Sequence, residues 1–109
     1  MISLGLRSRQ WIVNEKGDII MGEGRKEIFA NIEKTGSINQ TARIMRMSYK
    51  GVWSKIKATE NYVKMRLVQA DKRRGSFLTK EGKDLLNKYI QLKERCLEAN
   101  DTIFKDIFK

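Results

Sequence analysis

Two short helical patterns only three residues apart constrain this chain more than any other feature. In "SINQTARIM" Ile38, Ala42 and Met45 recur at helical spacing, and in "YKGVWSKI" Val52, Trp53 and Ile56 do the same. The "RMS" between them leaves room only for a tight turn. Ser37 stands at an N-cap position with Gln40 three residues later, a capping-box pattern, and Ser48 is placed to cap the second helix. Two helices joined by so short a turn form a helix-turn-helix, expected here over about residues 37–63.

The flanking segments complete the outline. "RQWIVNEKGDIIMG" reads as a hairpin, with "NEKGD" as its turn and Ile19 to Met21 as the return strand. "EGRKEIFANIEKTG" reads as a helix burying Ile28, Phe29 and Ile32, with Gly36 as its C-cap. Downstream, "RLVQA" and "SFLT" are short strands around the basic turn "DKRRG", a wing at about residues 67–79. Thr79 then caps a long helix to about residue 108. One of its apolar rows holds Leu85, Tyr89, Leu92, Cys96, Ala99, Ile103 and Ile107, and a second holds Leu86, Ile90, Leu97, Phe104 and Phe108. Two rows exceed what one small core needs, so one is expected to pair subunits. The fold class is therefore mainly α with small β-hairpins: a single winged helix-turn-helix domain over residues 1–109 with a long C-terminal helix.

Charge narrows the function. The 109 residues carry 23 Lys and Arg against 13 Asp and Glu, net +10. Residues 1–36 hold six basic and five acidic side chains, residues 37–83 twelve and three, and residues 84–109 five of each. The excess is thus concentrated on the helix-turn-helix and the wing, which points to a polyanionic partner. With no His and one Cys, a Cys/His metal centre and a His-activated nucleophile are both excluded. No phosphate-binding glycine loop is present, and neither an enzyme nor a cofactor is expected. The single Cys and the lack of a long apolar run or signal-peptide pattern fit a soluble cytoplasmic protein with no membrane contact.

The candidate contacts follow from the motif. The N-terminal part of a second helix of this kind reads base edges in the major groove, which here offers Ser48, Tyr49, Lys50 and Ser54, with Lys55 and Lys57 further along. Lys50 suits guanine O6 and N7. Gly51, costly inside a helix, hints at a close approach to the backbone. Ser37, Gln40, Thr41 and Arg43 are candidate phosphate clamps, although Ser37 and Gln40 also serve as capping residues. Lys72, Arg73 and Arg74 at the wing tip suit phosphates or the minor groove. The plainer reading of each set is a solvated basic surface. Trp53 and Met47 are expected in the core, Cys96 is expected as a buried thiol, and Trp11 as hairpin packing or a subunit contact. Leu85, Tyr89, Leu92, Cys96, Ile103 and Ile107 are the candidate dimer residues.

The stretch "KTGSINQTARIMRMSYKGVWSKI" resembles the N-terminal DNA-binding domain of ModE-type molybdate-responsive regulators. Gly36, Ser37, Ile38, Ala42, Ser48, Tyr49, Lys50 and Trp53 carry the likeness, with Leu78, Thr79 and Gly82 after the wing. LysR-type regulators share the general layout but fit the motif less closely. The resemblance, over roughly residues 8–100, implies a dimeric winged helix that binds operator DNA through Ser48, Tyr49 and Lys50. The molybdate-binding residues of that family have no counterpart in this sequence, so molybdate sensing does not carry over. The function expected is a homodimeric regulator on a pseudo-palindromic duplex DNA site. A general nucleic-acid or RNA-binding module, or a module docking a separate sensor subunit, are the alternatives.

Overall fold

The computed structural model describes residues 2–109. In chain order it contains β1 (Ile12–Val13), β2 (Ile19–Met21), α1 (Glu23–Thr35), α2 (Ile38–Met45), α3 (Tyr49–Val63), β3 (Val68–Asp71), β4 (Gly75–Leu78) and α4 (Lys80–Ile107). The strands form two separate antiparallel hairpins, β1–β2 and β3–β4. In the first turn the Asn14 side-chain oxygen accepts the N–H groups of Lys16 at 3.0 Å and Asp18 at 2.9 Å. The second hairpin turns over Lys72, Arg73 and Arg74 and returns at Gly75, whose φ of 87° disfavours a side chain.

The core lies where α1, α2 and α3 meet the second hairpin. Phe29 and Ile32 of α1, Ile38 and Ala42 of α2, and Val52 and Ile56 of α3 are buried with Leu67, Val68 and Leu78. Trp53 and Met47, expected inside, pack against this cluster but are only partly buried, so they form its rim. Three helices are capped by a hydroxyl that accepts the N–H three residues on: Ser37 from Gln40, Ser48 from Gly51 and Thr79 from Gly82. Thr79 also donates its hydroxyl to the Arg66 carbonyl at 2.7 Å and its N–H to the Leu67 carbonyl at 2.9 Å. The wing is therefore tied to the start of α4. Its other strand is tied to the α1–α2 corner, where the Ser76 N–H donates to the Gly36 carbonyl at 2.9 Å.

Only Gly82, Leu86 and Tyr89 of α4 are buried, and its C-terminal half stands clear of the core in a molecule 57 Å long. Tyr89 corrects an expectation. It is 1% exposed and donates its hydroxyl to the Gln10 carbonyl at 2.9 Å, so it belongs to the protomer's own core and not to a dimer contact. Leu85 is partly buried against the same core. Cys96, expected to be buried, is partly exposed. Leu92, Ile103 and Ile107 remain open to solvent.

A side chain at Gly82 would run into the Leu67 carbonyl, whereas nothing lies within 4 Å of the Cβ position at Gly24. Gly82→Ala should lower the unfolding free energy by about 1–3 kcal/mol, the usual cost of overpacking. Gly24→Ala should lower it not at all, both measured by urea denaturation.

Candidate nucleic-acid interface

The head of α3 is exposed. Ser48 sits at the N-cap with φ −73° and ψ 156°, and its hydroxyl accepts the Gly51 N–H at 2.9 Å. Tyr49, Lys50, Ser54 and Lys55 are exposed beside it. Lys55 also lines a cleft of about 190 Å³ with Trp11, Arg25, Met45 and Met47, on the flank of α3 that faces the start of α1. The close approach inferred at Gly51 comes from within. A Cβ there would stand 3.1 Å from the Ser48 hydroxyl and 3.6 Å from the Met47 methyl, so the glycine leaves room for the cap.

Lys57 departs from its expected role. Its ammonium lies 3.1 Å from the Glu60 carboxylate and 4.5 Å from the centre of the Trp53 ring. An ion pair and a cation–π contact hold it along the protein surface instead of projecting it from α3. Thr41 departs further. It is fully buried and donates its hydroxyl to the Ser37 carbonyl at 2.8 Å, which removes it from any phosphate clamp. Ser37 is occupied as a cap, accepting the Gln40 N–H at 3.0 Å. The side chains of Gln40 and Arg43 are exposed.

At the wing tip, one Asp71 carboxylate oxygen accepts the N–H groups of Arg73 at 2.8 Å and Arg74 at 3.4 Å. The loop is closed by its own acid while Lys72, Arg73 and Arg74 point to solvent as exposed residues. Among the described residues, Lys57 is the one cation of the twelve in residues 37–83 that forms an ion pair. The other eleven have no ion-pair partner among the described residues, against three carboxylates in the same stretch.

Glu60 is the group that sequence reasoning missed. It is 8% exposed, and one of its oxygens accepts the N–H groups of Leu67 at 2.7 Å and Val68 at 3.1 Å. Burial alone would raise its pKa. The two N–H groups and Lys57 outweigh that and hold the carboxyl below its usual range. Its position four residues after the buried Ile56 was the available signal, since a carboxylate on the inner face of a helix needs partners. Arg46 was also passed over. It closes α2 in the left-handed conformation, φ 55°, and is exposed in the turn that leads to α3.

The sequence profile of bacterial regulatory helix-turn-helix proteins of the lysR family matches residues 25–83, from the first turn of α1 through the wing to the first turn of α4. The chain belongs to this lysR family. It is accordingly a helix-turn-helix domain of a family of DNA-binding transcription regulators. No curated protein matches the sequence.

Solved structures share the fold of this lysR-family domain. The DNA-binding domain of CbnR, solved with DNA, superposes with a TM-score of 0.62 at 18% identity, over 76% of this chain and 94% of that one. ArgP from Mycobacterium tuberculosis gives 0.60 at 23% identity, over 77% of this chain and 31% of its own. Vibrio fischeri DarR, in complex with DNA, gives 0.58 at 22% identity, over 77% and 28%. The chain thus spans nearly all of an isolated DNA-binding domain and under a third of the ArgP and DarR chains. Among the described residues, no helix is long and apolar enough to cross a membrane.

Because the folded pKa of Glu60 is lowered, its stabilisation is present above the unfolded pKa and is lost as pH falls through the folded value. Urea denaturation between about pH 7 and pH 3 should show native stability falling on the acid side, where carboxylates titrate. Glu60→Gln should be the less stable protein at neutral pH, and the gap should narrow in acid.

Proposed function

We propose that this lysR-family domain is a sequence-reading regulator of the ModE-like kind, binding duplex DNA as a homodimer in the cytoplasm. The observation that carries this reading is the set of unpaired cations on the capped head of α3 and on the wing. Concentrated like charge destabilises a compact domain unless a polyanion neutralises it. Lys50, with Ser48, Tyr49 and Ser54, is assigned to base edges and nearby phosphates. Lys55, Arg43, Gln40, Lys72, Arg73 and Arg74 are assigned to the backbone, joined by Arg46. Lys57 and Thr41 are not retained. The match of Ser48, Tyr49, Lys50 and Trp53 to the ModE-type motif supports the narrower assignment within the family.

Exposed apolar side chains from both rows of the last helix support pairing. Leu92, Leu97, Ile103, Ile107 and Phe108 are 37–68% exposed, too much apolar surface for one helix to leave to water. A second copy across a twofold axis would place two α3 helices in successive major grooves about 34 Å apart, on a pseudo-palindrome. A separate sensor subunit on the same surface is the competing occupant.

Lys50→Ala should weaken binding to a preferred site by about 1–3 kcal/mol while leaving non-specific affinity nearly intact. Competition titrations with unrelated duplexes measure both. Arg73→Ala and Arg74→Ala should weaken all sequences alike and lower the salt slope by about 0.9 each. Ile103→Glu combined with Ile107→Glu should convert a dimer to a monomer in sedimentation equilibrium. A native protein that sediments as a monomer would remove the paired-helix account.

A further inference from the structure

The wing can share a duplex with α3 only if the two stand at a fixed angle. As a strand β3 pairs with β4 alone, and although β4 is held to Gly36 through the Ser76 N–H, along the chain just Lys64, Met65, Arg66 and Leu67 join the wing to α3. The joint itself is unusual, since Lys64 closes α3 at φ 58°, a conformation side chains rarely adopt. Glu60 spans this joint. One carboxylate oxygen accepts the N–H groups of Leu67 and Val68, where the wing begins, at 2.7 and 3.1 Å. The other takes the ammonium of Lys57, one turn back on α3, at 3.1 Å. A single buried side chain therefore touches both elements assigned to DNA.

We infer that Glu60 is a positioning residue for DNA binding, which sets the angle of the wing to α3 and draws Lys57 onto Trp53, out of the approach to the duplex. The inference rests on the DNA-binding reading above. It differs from a merely stabilising role in one consequence. Loss of the clamp should remove the contribution of Arg73 and Arg74 to affinity, even in protein that is fully folded.

The test measures the salt dependence of binding to a random-sequence duplex for native protein, Glu60→Gln and Glu60→Ala. Each is made with and without Arg73→Ala plus Arg74→Ala. In the native background the two arginines should contribute about 1.8 to the slope, at about 0.9 per phosphate. Glu60→Gln retains an oxygen for both N–H groups and should keep that difference. Glu60→Ala should reduce it to below about half. Where Glu60→Ala does not fold, Glu60→Asp, one methylene short of the clamp, takes its place with the same expectation. The full arginine contribution in Glu60→Ala, or its loss in Glu60→Gln, would overturn the inference. A native protein that ignores duplex DNA at low salt would instead overturn the DNA-binding reading. Amide hydrogen exchange at Leu67 and Val68 in the free protein still tests the clamp in that event, with faster exchange relative to Val52 expected in Glu60→Ala.

Discussion

Every exposed group assigned to DNA depends on how Phe29 and Ile32 of α1 pack with Ile38, Ala42, Val52 and Ile56. A domain of 109 residues has little core to spare, and this cluster fixes α2 and α3 against one scaffold helix. Once those faces are buried, helical geometry decides what is left outside. Lys50 and Ser54 face solvent because Val52 and Ile56 face the core. Which side chains such a domain presents is thus decided by apolar packing, and the polar groups occupy the places that packing leaves open.

The same economy appears in the polar groups. Hydroxyls of Ser37, Ser48 and Thr79 satisfy helix ends, and Thr41 satisfies itself on the Ser37 carbonyl. Glu60 and Lys57 satisfy each other and the base of the wing. Side chains with an internal partner are thereby set apart from those without one. The cations of α3 and the wing that have no partner form a coherent region, and a lysR-family fold gives that region a natural counterpart in the duplex.

Much of this was legible in the sequence because the signals were local. Apolar spacing located α2 and α3, serines marked their starts, and a basic turn with glycine marked the wing. Errors arose where a long-range partner decided. Tyr89 lies in the apolar row of α4, but a helix row does not reveal what covers it, and the N-terminal segment at Gln10 does. Thr41 has the chemistry of a phosphate clamp, but the register of α2 turns it inward. Lys57 was one more cation in a basic run until Glu60 took it. Glu60 stayed hidden because its partners are backbone N–H groups beyond the end of its own helix, which no residue type announces.

Selection of bound fragments from sheared genomic duplex DNA, at about physiological salt where non-specific binding is weak, tests the central claim most directly. The account predicts recovery of a twofold-symmetric motif with half-sites about one helical turn apart. Recovery of fragments with no common sequence would contradict it and leave the unpaired cations of α3 and the wing as a general polyanion-binding surface.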